Sequence, residues 1–196
     1  MSLRNKIIAS IAGATALGGS ITAVVTHNEG YSEPAYRDSA GVWTWCYGET
    51  KGVQPGQRAS KEYCDKQLVQ SLGEHAKALD GLPMGLPDVV VLGSVDMAYN
   101  IGVSGFKNSS MYRALSKKDY KAASAAVLQY KYISQTKKPQ NTSGWTLNKR
   151  TGKWQYDCSL ENNKVCYGLW KRRVWQSKAL GNEFKSLQQA VAALPK

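Results

Sequence analysis

The stretch HNEGYSEPAYRDSAGVWTWCYGET, residues 27–50, decides how this chain is to be read. It sets acidic side chains among glycines and aromatic residues, and it begins directly after a long run without charge. Residues 36–48 read as short strands, because Trp43, Trp45 and Tyr47 alternate with Thr44 and Cys46. That period of two puts the aromatic residues on one face and Thr44 on the other, and Gly30, Gly41 and Gly48 supply the turns. Glu29 falls at the end of a helix before these strands, whereas Asp38 and Thr44 fall on the hairpin. A helix end facing a hairpin forms one wall of a cleft, where these three side chains are expected to meet. Two carboxylates flanking a sugar linkage suit glycoside hydrolysis. One protonates the leaving oxygen, the other helps water attack an oxocarbenium-like centre, and a neighbouring hydroxyl can orient that water. Other carboxylates lie close by, at Glu33, Glu49 and Glu62, so spacing alone does not single out the pair.

Working outward toward the start, Arg4 and Lys6 precede Ile7–Thr26, twenty residues without a charge. At about 1.5 Å per residue in a helix, twenty residues are just enough to span a hydrocarbon core. Positive charge ahead of the segment would keep that end in the cytoplasm. The segment is rich in Ala, Gly, Ser and Thr and poor in Leu and Phe, which makes its insertion marginal. Three fates are open: a cleaved signal peptide with Ala12-Gly13-Ala14 at the cleavage site, a permanent anchor, or an anchor that later leaves the bilayer. All three imply export.

Working toward the other end, residues 59–79 read as a helix capped by Ser60, with Cys64, Leu68, Leu72 and Leu79 at helical spacing. Residues 88–102 form the most apolar stretch of the body and are expected to be a buried central helix. Ser116 to Asp119 reads as a capping box opening a helix with Tyr120, Ala123, Val127 and Tyr130 on one face. The polar stretch 135–166 is expected to be an insertion loop or hairpin, turning at Thr151-Gly152 between strands that carry Trp145 and Trp154. Helix resumes at Tyr167, and a last short helix closes the chain. The fold class expected is α+β and mainly α, with a small antiparallel sheet near the N-terminus.

The 196 residues, 42% hydrophobic and 20% charged, are enough for one well-buried core and do not resemble a disordered chain. A formal charge of +12 favours acidic partners such as nucleic acid, anionic lipid or a cell-wall polymer, although most of these charges read as solvated surface. No nucleic-acid-binding motif is present, and export would separate the chain from that ligand. The four cysteines include no C-x-x-C pair, and His27 and His75 are the only histidines, so neither a metal site nor a cofactor is expected. Two disulfides fit an exported chain. Of the three possible connectivities, pairing of near neighbours is expected: Cys46 with Cys64, and Cys158 with Cys166.

Three stretches together resemble the phage-type lysozymes, glycoside hydrolase family 24. The first is Glu29, eight residues, Asp38, five residues, Thr44, continuing to Tyr47-Gly48-Glu49-Thr50. The second is Met97–Leu115, similar to that family's central helix and following turn. The third is Gly168–Arg173, GLWKRR, similar to its C-terminal Gly-Leu-x-x-Arg-Arg. The resemblance implies a two-lobed lysozyme fold, a helical lobe around a central helix, and cleavage of the β-1,4 bond between N-acetylmuramic acid and N-acetylglucosamine in peptidoglycan. It implies Glu29 as general acid, Asp38 as the carboxylate that activates or stabilises, and Thr44 as the water-positioning hydroxyl. The chain departs from the family at Glu49, where many members have His, and lacks the acid that often follows the Arg-Arg pair.

The N-terminus is similar to the signal-anchor-release endolysins of phages that infect Gram-negative hosts. That implies a segment 1–27 that enters the inner membrane transiently through residues 7–26 and a catalytic domain 28–196, released to the periplasm and monomeric. No cysteine precedes Cys46, so the thiol caging used by some such enzymes is not expected here. Two other functions remain open: an anchored wall-binding protein that does not cut, and a lytic transglycosylase that cuts the same bond without water.

Overall fold

The computed structural model describes residues 2–38 and 41–196; Ser39 and Ala40, inside the stretch expected to form strands, lie outside them. The uncharged N-terminal run is two helices rather than one. Helix α1 spans Leu3–Ala12 and is capped by the Ser2 side chain, which accepts from the Asn5 N–H; α2 spans Ala16–Glu29 and is capped by Thr15. They meet at 84°, and among the described residues no single helix is long and apolar enough to cross a membrane, although this bent pair is by length and composition. Gly18 makes the bend possible. A Cβ at that position would fall 2.1 Å from the Ser10 carbonyl oxygen, so only a bare backbone lets the two helices touch. With that approach Leu3, Ile7, Leu17, Ile21, Val24 and Val25 all reach the main core. The expected boundary between residues 27 and 28 falls inside α2.

Strands β1 (Ser32–Arg37) and β2 (Trp43–Cys46) pair antiparallel, with Tyr36 opposite Thr44 and Arg37 opposite Trp43. As the alternation predicts, β2 buries Thr44 and Cys46 and leaves Trp43 and Trp45 half-buried. A disulfide from Cys46 to Cys64 fastens this hairpin to α3 (Lys61–His75), whose N-cap is Ser60. A 3-10 turn over Ala76–Leu79 leads to α4 (Asp88–Ile101), in which every residue from Val89 to Ala98 is buried. Short helices α5 (Val103–Lys107), α6 (Ser110–Ser116) and α7 (Tyr120–Val127) follow. Ser116 does not open α7. It ends α6 and donates its hydroxyl to the Arg113 carbonyl, while Asp119 caps α7 by accepting from the Ala122 N–H.

Beyond α7 the expected hairpin is a three-stranded antiparallel sheet, and it begins earlier than residue 135. Strands β3 (Tyr132–Gln135), β4 (Trp145–Asn148) and β5 (Lys153–Asp157) lie in the order β3-β5-β4. The described residues therefore form two small antiparallel sheets, the second of three strands where the sequence suggested a loop or a hairpin. The second disulfide joins Cys158 to Cys166 directly before α8 (Tyr167–Leu180), and α9 (Leu187–Ala192) ends the fold. Helices α4 and α8 cross in close contact. A Cβ on Gly93 would lie 2.6 Å from Ala179 Cβ and 2.7 Å from Leu180 Cδ1, so glycine there sets the spacing of the two helices that carry the polar residues described next.

Candidate active site

Glu29 is the last residue of α2, and Gly30 after it takes φ +72°, a left-handed conformation that turns the chain off the helix and into β1. The Glu29 side chain is 21% exposed, with Oε1 2.8 Å from Arg172 Nη2 on α8. Its other oxygen faces Gly48 in the loop after β2, where a Cβ would stand 3.9 Å away. Glu29 thus lies between the helical body and the end of the hairpin lobe, where the residue facing that oxygen is a glycine. Tyr99 of α4 is close by and donates to the Tyr47 carbonyl at 3.4 Å. Burial pushes its hydroxyl pKa up, and the charges of Glu29 and Glu49 add to that rise.

Asp38 directly follows β1, and its carboxylate is turned into the hairpin bend. Oδ1 accepts from the Val42 N–H at 2.8 Å, the Asp38 N–H donates to the Val42 carbonyl at 3.0 Å, and the Gly41 N–H donates to the Asp38 carbonyl at 2.9 Å. Thr44, 3% exposed, donates its hydroxyl to the same Val42 carbonyl at 3.1 Å. With its proton so directed, Thr44 can meet a water only as an acceptor. Asp38 and Thr44 therefore share the backbone of Val42 as a common fixed point. Glu29 is joined to their hairpin by the two residues Gly30 and Tyr31.

Beneath Glu29 lies a buried polar cluster that the sequence reading did not assign. Asp96 of α4 is fully buried, and its carboxylate accepts four hydrogen bonds. Oδ1 takes Asn28 Nδ2 at 2.9 Å and Arg172 Nη2 at 2.8 Å; Oδ2 takes Arg172 Nε at 3.3 Å and Gln176 Nε2 at 2.6 Å. Burial alone would lower the Arg172 pKa, but Asp96 and then Glu29 outweigh it and hold it above the usual arginine range. Arg173 behaves oppositely. Burial first, then the neighbouring Arg172 charge, draws it down to about 10, while its guanidinium is held by the Tyr130 carbonyl and Gln176. One signal was present in the sequence: Asp96 is the only charged residue between Val89 and Ile101, and a buried carboxylate requires a partner. Which residue supplies it, 76 positions away, is not a local property.

Two hollows flank α8 without reaching Asp38 or Thr44. One, of about 410 Å³, is lined by His27, Asn28, Arg172 and Pro195 among others; the other, of about 260 Å³, lies under Trp170, Val174 and Phe184. His27 Nε2 lies 2.8 Å from the Pro195 carbonyl, and Lys171 bonds the Lys196 carbonyl, so the tail lies against the exit of α2.

The model of the family described as phage lysozyme matches residues 26–150. A SAR-endolysin of Escherichia phage 933W is 31% identical over 189 residues, covering 89% of this chain and 93% of its own length. Among solved structures, the endolysin from Escherichia coli O157:H7 phage FAHEc1 aligns at a TM-score of 0.63 and 17% identity, over 85% of this chain and 94% of that one. The active form of the P1 phage endolysin Lyz aligns at 0.61 and 16% identity, over 92% and 94%. Since the family match takes in Glu29, the whole hairpin and α4, and the 933W relative extends it across nearly the full length, the chain belongs to the phage lysozyme family and is a lysozyme, an enzyme whose substrate is peptidoglycan.

Proposed function

We propose that Glu29 is the general acid of this muramidase, protonating the leaving oxygen of the bond between N-acetylmuramic acid and N-acetylglucosamine. Asp38 is the second carboxylate, activating water or stabilising the oxocarbenium-like centre, and Thr44 accepts a hydrogen bond from that water and so orients it. The observation that carries this reading is the placement of Glu29. Arg172 grips one oxygen, and the other faces Gly48, a residue without a side chain, at the junction of hairpin and helices. The test is turbidity loss of purified Gram-negative peptidoglycan with wild type and Glu29→Gln. Clearing by wild type alone supports the assignment, with the variant down by at least about 100-fold. Equal clearing means another acid does the work. Mass spectra of the products distinguish hydrolysis from transglycosylation, since only the latter leaves an anhydro sugar.

The same reading extends to where the enzyme acts. The SAR-endolysin name of the 933W relative and the marginal apolar character of residues 7–26 support export through the inner membrane, a tethered inactive state, and release to the periplasm. In the tethered state residues 7–26 lie in the bilayer, so Glu29, three residues beyond, is withheld from Arg172. Gly19 is the position at which to test this, because it is exposed and a Cβ there meets nothing within 4 Å. Gly19→Leu should shift the protein toward the membrane fraction and lower its lytic activity in cells while leaving the soluble fold intact. Full activity in the membrane fraction would sink the tether.

A further inference from the structure

Arg172 serves two carboxylates unequally. Asp96 takes it with both oxygens, through Nε at 3.3 Å and Nη2 at 2.8 Å, whereas Glu29 receives a single bond from Nη2 at 2.8 Å. A two-point grip fixes the plane of a guanidinium; a single bond follows wherever that plane points. Asp96 is itself immobilised by Gln176 from α8 and Asn28 from α2, so both of its oxygens are filled. Three of its four donor bonds come from α8 and only one from α2. The Arg172–Asp96 pair therefore belongs to the helical body, and α2 adds two things to it: the Asn28 amide and the Glu29 carboxylate.

We infer that Asp96 is a positioning residue, which holds Arg172 as a ready-made receiver for Glu29 and offsets the guanidinium charge that Glu29 faces. This rests on the reading of Glu29 as the acid. An acid that must hand over its proton works poorly beside a cation with no other partner, because such a cation favours the ionised carboxylate. With Asp96 in place Arg172 is held in one plane and its charge is offset, so the remaining Nη2 bond orients Glu29. Other titratable or charged groups around this point include Tyr99 of α4, Glu49 of the loop after β2, Arg173 and Lys171 of α8, Lys196 of the tail, and His27 of α2, whose ring is engaged by the Pro195 carbonyl.

The experiment uses the full chain, soluble peptidoglycan fragments as substrate, kcat and KM across pH, and melting temperature as the folding control. Asp96→Asn should lower kcat by about 10–100-fold with KM changed less than about 2-fold, the scale of a displaced reacting group. The limb of its pH profile that reports loss of the acid's proton should move to lower pH. The exchange Asn28→Asp with Asp96→Asn returns a carboxylate to the same pair from the other helix, and it should recover at least about tenfold of the lost kcat. A folded Asp96→Asn protein with unchanged kcat and pH profile overturns the inference, as does an exchange variant no better than the single one. If Asp96→Asn does not fold, Asn28→Ala keeps the ion pair and removes one donor. A several-fold drop in kcat at constant KM and melting temperature then supports the inference, and an unchanged kcat overturns it. Glu29→Gln separates the levels: if that variant still clears walls, the reading beneath the inference is wrong, whereas a dead Glu29→Gln beside a fully active Asp96→Asn removes the inference alone.

Discussion

The helices at the start of the chain and the sheet between α7 and α8 each invert what their composition suggests. Helices α1 and α2 are built largely from Ala, Gly, Ser, Thr and short aliphatics, yet six of their side chains lie in the main core. The β3–β5 sheet holds Trp145, Trp154, Tyr156, Ile133 and Leu147, yet none of these joins that core. Their register puts all five on one face, where Trp145 and Tyr156 pack edge-on with ring centres 5.5 Å apart, and the loop at Gly144 closes against Tyr156. The difference is one of reach. Small residues let two helix backbones come close enough for a few aliphatic side chains to be sealed, whereas large residues at the periphery can seal only one another. The first segment is held by packing, whereas the second is closed at its base by the Lys131–Asp157 ion pair and tied to the start of α8 by the Cys158–Cys166 disulfide.

The sharpest way to break the first arrangement is Gly18→Leu. The new side chain would collide with the backbone of Ser10 and Ile11, so α1 must leave α2, and a loss of more than about 3 kcal/mol is expected. Thermal melting reads this directly as a fall of roughly 6–12 °C for a chain of this size, set beside Gly19→Leu, which should melt within about 2 °C of wild type. Opening the second arrangement should be a smaller and more local event. Replacing Cys158 and Cys166 with Ser removes a short covalent loop, about 2–3 kcal/mol by chain entropy. Limited proteolysis should find new cuts between residues 131 and 166 while the main melting transition shifts by only a few degrees. A main transition that collapses instead would mean the sheet is integral to the core.

The smallest effect is a pH dependence at the base of the sheet. Burial works to raise the Asp157 pKa, but the Lys131 ammonium and the Ser159 hydroxyl and N–H together hold it below the usual carboxylate value. A carboxylate held low contributes stability above its unfolded pKa and loses that contribution as pH falls through its folded one. Protease susceptibility of the sheet should therefore rise below about pH 4, and Asp157→Asn should remove that dependence. Both partners are partly open to solvent, which keeps the change modest.

Where the sequence was legible, the signal was local. Residues 88–102 announced α4 by composition, Ser60 announced the start of α3, and the return of helix at Tyr167 is where α8 begins. The disulfides follow the near-neighbour rule. Where it failed, two local signals competed or the answer lay far away. Ser116 and Asp119 both resemble caps, and only the Asp119 side chain reaches a free N–H. Strand β3 is four residues long, too few to show alternation, and it exists because β5, well further along the chain, pairs with it. The family resemblance implied Glu29, Asp38 and Thr44 as candidates, but the socket around Glu29 needed α4 and α8 in their crossing. Nothing in GLWKRR says that Arg172 turns toward Asp96 and Glu29 while Arg173 turns toward Tyr130.

The six tryptophans fall into three pairs: Trp43 and Trp45 on the hairpin, Trp145 and Trp154 on the peripheral sheet, Trp170 and Trp175 on α8. Each region thus carries its own intrinsic fluorophores, and Trp175, 3% exposed with its indole N–H donated to the Ala190 carbonyl, is the most sheltered emitter of the last pair. Emission from the whole protein is therefore a sum of three optical reports. A red shift that comes in steps under reducing agent or mild denaturant would date the opening of each region separately, without a label being attached anywhere.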